Sequence, residues 1–120
     1  MNYNQIPNEL KQLPIWCVWN LEKGGKIPYN PRTGYKAQSN NLESFTSFKT
    51  ASKAVYDGRY NGVGIGIFYG ISAIDIDHCM NDGVLSDMAT DIIQRMNSYT
   101  EISPSGNGIR IIFNRPVLKP

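Results

Sequence analysis

The sequence predicts an α/β (α+β) fold, a mixed or antiparallel sheet with helices flanking it. Three observations lead there. Short runs rich in aromatic and β-branched residues, such as Ile15-Trp-Cys-Val-Trp-Asn-Leu21 and Gly70-Ile-Ser-Ala-Ile-Asp-Ile-Asp77, read as strands. Leu85, Met88, Ala89, Ile92, Ile93 and Met96 recur at helical spacing. Turn residues punctuate the chain between these runs, at Lys23-Gly24-Gly25-Lys26, Asn30-Pro31-Arg32-Thr33-Gly34 and Asn81-Asp82-Gly83.

The elements follow in order. Ile6, Leu10 and Leu13 predict a short helix over 5–13, with Pro7 in its first turn, Asn4 or Gln5 as cap, and Pro14 as its stop. The strand at 15–21 is apolar on both faces and so is expected to be covered on both. Ile27-Pro28-Tyr29 is a short extended piece. Residues 43–57 predict a second helix, with Phe45, Phe48, Ala51, Val55 and Tyr56 toward the core. In Gly62-Val-Gly-Ile-Gly-Ile-Phe68 glycines alternate with apolar residues. That is a strand with one bare face, open to another backbone or a ligand. Its spacing is not that of a dinucleotide-binding loop. Tyr69-Gly70 then predicts a hairpin into the following strand. The helix at 85–96, capped by Ser86 or Asp82 and ended by Asn97, leads to strands at 99–103 and 109–113 around the loop Pro104-Ser-Gly-Asn-Gly108.

With 120 residues, 41% hydrophobic and 11% aromatic, the chain can bury a core and is expected to form a single domain. The net charge of +2 permits contact with nucleic acid without arguing for it. Cys17 and Cys79 sit in or beside apolar runs and form no C-x-x-C pattern, so reduced, buried thiols are expected, and with them a cytoplasmic protein. The start of the chain is polar, and no apolar run reaches the length of a membrane span.

Three constellations carry chemistry. Asp75 and Asp77 alternate with Ile74 and Ile76, so the two carboxylates share a face where the strand gives out. Neighbouring acids repel unless a cation lies between them, and hard oxygen donors suit Mg²⁺ or Mn²⁺. His78, beside them, is open to three roles: metal ligand, triphosphate contact or plain strand-end side chain. The loop Ser103-Pro-Ser105-Gly106-Asn-Gly108 with Arg110 offers hydroxyls, backbone N–H groups and a forked cation for phosphate, or else is an ordinary hairpin turn. Lys23, Lys26, Arg32 and Lys36, interleaved with Tyr29 and Tyr35, either hold a nucleic-acid backbone or form a solvated loop.

Taken in order, the segments IPNELKQLPIWCVWNLE, KIPYNPRTGYKA, GVGIGIF, AIDIDHC and SYTEISPSGNGIRIIF resemble the N-terminal part of a phage- or plasmid-type primase-polymerase domain, of the archaeo-eukaryotic primase superfamily. The resemblance implies a fold related to the RNA-recognition fold and a template-directed nucleotidyl transferase using Mg²⁺ or Mn²⁺. It implies DNA template and primer, nucleoside triphosphates and a replicative helicase, in cis or in trans, as partners. Asp75 and Asp77 match the family's first motif, the catalytic metal ligands; the Ser103–Gly108 loop matches its second, which grips nucleotide phosphates.

Two departures stand out. The second motif ends in a histidine where this chain has Arg110, which binds phosphate but keeps its proton near neutral pH. The family's third motif adds an acidic residue downstream, whereas Glu101 is the last acid in these residues. The expectation is therefore an incomplete primase-polymerase domain with little or no activity alone. A non-catalytic relative that binds nucleic acid, or inhibits an enzyme acting on it, is the alternative. A metal-dependent nuclease would rest on the acid pair alone.

Overall fold

The computed structural model describes residues 3–103 and 106–114. The chain divides into two compact units, Met1–Phe68 and Tyr69–Pro120.

In the first unit, helix α1 is the single turn Asn8–Lys11, with Pro7 at its N-cap. The predicted helix over 5–13 shrinks because Ile6 and Leu13 each precede a proline, which disfavours helical torsions for both. Strand β1 (Trp16–Glu22) is the centre of an antiparallel sheet, with β2 (Gly25–Tyr29) on one side and β3 (Gly62–Ile65) on the other. Pro28 lies on the edge strand, where its missing N–H costs no ladder bond on the outer side.

The alternating glycines of β3 have a specific cause. Gly62 faces Trp19 and Gly64 faces Cys17 across the ladder. A Cβ on Gly62 would stand 2.5 Å from the Trp19 ring, and one on Gly64 would stand 2.9 Å from Cys17 Sγ. The bare face thus receives the side chains of β1, not a backbone or a ligand.

The predicted helix over 43–57 is also divided. Leu42–Ser44 is one 3-10 turn, and Thr46 then pairs with Trp16 in extended form. Helix α2 (Phe48–Tyr56) starts only after Ser47, whose Oγ accepts the Thr50 N–H at 3.2 Å. Ala51 and Ala54 are fully buried, and Phe48 packs edge-on to Trp16 with ring centroids 4.8 Å apart. Tyr56, expected in the core, is 91% exposed.

In the second unit, β4 (Ile71–Ile76), β7 (Tyr99–Ile102) and β8 (Ile109–Asn114) form an antiparallel sheet in the order β4-β8-β7. Between β4 and β7 lie the small hairpin of β5 (Met80–Asn81) and β6 (Val84–Leu85) and the helix α3 (Asp87–Met96). Asp82 and Gly83 both take positive φ at the hairpin tip, the turn that suits a tight antiparallel pair. Ser86 caps α3 by accepting the Ala89 N–H, and Asn97 ends it in the left-handed conformation. Ala89, Ile109, Ile111 and Cys79 form the core, with Ile74, Ile76 and the apolar stripe of α3 against it. Met88 is 62% exposed, not in the core as its spacing predicted. Leu85, the first residue of that pattern, belongs to β6, and the helix begins at Asp87.

The predicted hairpin between the glycine-rich strand and the acid-bearing strand is not formed. β3 pairs with β1, and β4 pairs with β8. Tyr69 and Gly70 have turn torsions, but β3 ends at Ile65, too early for that turn to join two paired strands. Cys17 and Cys79 are both buried and unbridged. Among the described residues no helix is long and apolar enough to cross a membrane. The fold is α+β with antiparallel sheets, as predicted.

Candidate functional site

The sheet of the second unit has two chemically different faces. Ile74, Ile76, Ile109 and Ile111 point to the face that packs on α3. Alternation puts Asp75 and Arg110 on the opposite face, and the register aligns three charged residues in one row across the strands: Asp75 on β4, Arg110 on β8 and Glu101 on β7. Arg110 Nε lies 3.2 Å from Asp75 Oδ1. This Nε is buried and makes no aligned hydrogen bond, so the contact is an ion pair only. Glu101 accepts the Tyr99 hydroxyl at 3.2 Å. Burial of Tyr99, reinforced by the charge and hydrogen bond of Glu101, pushes its phenol up to about 12.

Asp77 follows β4 directly and is exposed. The loop of the second constellation lies against it. A Cβ on Gly108 would stand 2.8 Å from the Ile76 carbonyl oxygen and 3.4 Å from Asp77 Cα, so only glycine allows this approach. The loop is strapped from both sides. Asn107 O accepts N–H bonds from Cys79 at 2.8 Å and Met80 at 3.2 Å. Ser103 N–H donates to Gly108 O at 2.8 Å, and Gly106 N–H donates to Ser103 O at 2.9 Å. Gly108 N–H donates to Ser103 Oγ at 3.0 Å. The Gly106 and Gly108 amides and the Ser103 hydroxyl therefore shape the loop. Ser105 lies outside the described residues.

His78 is exposed with a left-handed backbone and lines an open cleft of about 450 Å³ together with Asp82, Val84 and Ser86. The structure thus pairs Asp75 with Arg110 and seats Gly108 on the backbone of Asp77, with His78 next in the chain. Among the described residues no three His, Cys, Asp or Glu side chains converge as a metal site. Two carboxylates suit Mg²⁺ or Mn²⁺ all the same, since Mg²⁺ commonly takes one or two protein carboxylates and completes its shell with water and substrate phosphates.

The basic residues belong to the first unit. Lys26 Nζ lies 4.9 Å from the centre of the Trp19 ring, a cation–π contact. The Arg32 guanidinium donates to the carbonyls of Glu43 at 2.8 Å and Phe45 at 3.3 Å, so this arginine anchors its own loop. Asn30, 6% exposed, supports the same loop by accepting the Arg32 N–H at 3.0 Å. Lys36 is exposed, and its backbone bridges to Tyr29. The Tyr29 hydroxyl is held by Glu22, which raises its pKa. Sequence reasoning missed the Asp75–Arg110–Glu101 row and Tyr99 beside it. Only strand register reveals that row, and register is a long-range property.

In this α+β unit the end of the acid-bearing strand and the glycine loop, the two motifs matched to primase-polymerases, lie side by side. The comparison with known proteins agrees: the chain is 34% identical over 111 residues to a DNA primase-polymerase of Nitratiruptor phage NrS-1. The match takes in 88% of this chain and 15% of the phage protein, so the chain spans a small part of that relative's length. No family model matches the chain. The resemblance to primase-polymerases therefore holds across most of these residues.

Proposed function

We propose that this chain is the portion of a primase-polymerase that carries the first acid pair and the nucleotide loop. In the full-length protein it binds nucleoside triphosphate, DNA and Mg²⁺ or Mn²⁺ for template-directed nucleotidyl transfer. The observation that supports the reading is the seating of Gly108 on the backbone of Ile76 and Asp77, which brings the loop to the strand end that carries the two acids. The similarity to the phage DNA primase-polymerase supports it.

In this reading Asp75 and Asp77 are the catalytic acids and hold the divalent ion. Such an ion supplies positive charge that favours a deprotonated hydroxyl nucleophile and offsets the charge of a triphosphate. Ser103, Ser105, Gly106 and Gly108 form the loop on which the phosphates rest, with Arg110 and His78 as side-chain donors. Arginine at 110 binds phosphate as a permanent cation, so it orients the triphosphate and takes no part in proton transfer. Lys26 and Lys36 face the nucleic-acid backbone, while Arg32 acts chiefly by shaping their loop.

One observation favours a second reading, a non-catalytic binding or inhibitor module of the same descent: Arg110 stands 3.2 Å from Asp75 as its counter-ion. Calorimetric titration with a non-hydrolysable nucleoside triphosphate and Mn²⁺ separates the two. The enzyme reading expects binding that the double variant Asp75→Ala, Asp77→Ala abolishes. Triphosphate binding untouched by that variant would refute it and leave the module.

A further inference from the structure

We infer that Arg110 is a positioning residue that latches Asp75: without nucleotide it is the counter-ion of the first carboxylate, and a triphosphate draws it away and opens Asp75 to the divalent ion. The inference deepens the reading above and rests on it.

The row itself provides the geometry for such a latch. Arg110 sits on the middle strand and its side chain is 28% exposed, whereas Asp75 sits on an edge strand and is 61% exposed. The arginine is therefore the more enclosed partner, while the carboxylate reaches solvent. Their contact at 3.2 Å lacks hydrogen-bond alignment, and ion pairs at such exposure are weak. A dication on Asp75 would face a guanidinium charge a few ångströms away and be repelled by it. A phosphate is the better partner for the arginine, because the planar fork engages two of its oxygens at once. Glu101 flanks Arg110 on the other side, so the row alternates acid, base, acid. Transfer of Arg110 to phosphate leaves Asp75 with uncompensated negative charge next to an incoming triphosphate–metal unit. Nucleotide and metal then favour each other's binding, and the coupling is reciprocal.

The test is a titration of the full chain with Mn²⁺ alone, followed by water-proton relaxation. Arg110→Gln should bind Mn²⁺ about fivefold more tightly than the wild type, the scale expected for losing one exposed ion pair. Arg110→Lys, which keeps the charge, should restore wild-type affinity. Adding Asp75→Asn to Arg110→Gln should remove the gain. A purely structural arginine would give the opposite order, with weaker binding in Arg110→Gln. Equal Mn²⁺ affinity in wild type and Arg110→Gln overturns the latch and leaves the acid site standing. Mn²⁺ binding that Asp75→Asn with Asp77→Asn does not reduce overturns the site, and the latch with it. Should Arg110→Gln not fold, the wild-type protein decides. Its Arg110 Nε–H resonance should shift on adding inorganic tripolyphosphate without metal, and an unmoved resonance overturns the inference.

Discussion

Gly108 and Asp77 are in contact through the backbone: a methyl group on Gly108 would stand 3.4 Å from Asp77 Cα and 2.8 Å from the carbonyl oxygen just before it. A backbone atom cannot swing aside as a side-chain tip can, so this approach depends on glycine. Gly108→Ala is expected to lower stability by about 1–3 kcal/mol, the range for forcing an extra methyl into a closed space. Urea denaturation measures it, and triphosphate affinity should fall in the same variant because the loop is displaced from the acids.

A parallel case lies in the other unit. Gly62→Ala would drive a methyl into the Trp19 indole at 2.5 Å, and the ring is held in place by its Nε1–H bond to the Val63 carbonyl at 2.9 Å. The expected destabilisation is again about 1–3 kcal/mol. A smaller residue at 19 should relieve it, so the double variant Gly62→Ala, Trp19→Leu is predicted to be less than additive.

Tyr99 makes stability depend on alkaline pH. Its folded pKa of about 12 exceeds the ordinary value of 10.0, so the folded state retains the phenol proton longer than the unfolded state does. The stabilisation is complete below pH 10 and is lost as pH rises from there through about 12. Ultraviolet titration of the phenolates should show a tyrosine that ionises near pH 12. Tyr99→Phe should remove it, and Glu101→Gln should move it toward 10.0 while leaving part of the shift, because burial is the larger cause.

The basic residues should separate into two kinds. Lys26→Ala and Lys36→Ala are each expected to flatten the salt dependence of DNA binding, by roughly 0.7–0.9 for every phosphate that is no longer neutralised. Arg32→Ala should act mainly on folding, costing about 1–3 kcal/mol, because its guanidinium serves the carbonyls of Glu43 and Phe45. Salt titration by fluorescence anisotropy, paired with thermal denaturation, distinguishes them.

Local chemistry is legible in the sequence where short-range rules govern it. Ser86 and Asn97 bound α3 as their side chains and torsions require, and the turn at Asp82-Gly83 forms where its residue types place it. Long-range choices are not legible. The glycines of β3 suggest room for a ligand, because nothing in the sequence says that Trp19 and Cys17 stand opposite them. Tyr69-Gly70 suggests a hairpin turn, yet strand partners are selected by which faces bury together, and Ile74 and Ile76 bury with Ile109 and Ile111. The stretch 43–57 keeps its apolar period through a break that the pairing of Thr46 with Trp16 imposes. At the site, the acids and the loop are each readable from local residue pattern. The ion pair of Arg110 with Asp75 is not, since the two are cross-strand partners far apart in sequence.

Everything proposed for the second unit depends on a divalent ion held at Asp75 and Asp77 beside the loop that ends at Gly108. Substoichiometric Mn²⁺ added to isotope-labelled protein tests this directly, because the paramagnetic ion broadens only nearby amide resonances. The amides of Asp75 to His78 and of Gly106 to Arg110 are predicted to broaden together, and Asp75→Asn with Asp77→Asn to abolish the effect. Broadening centred elsewhere, or unchanged in that double variant, would contradict a metal site at these acids.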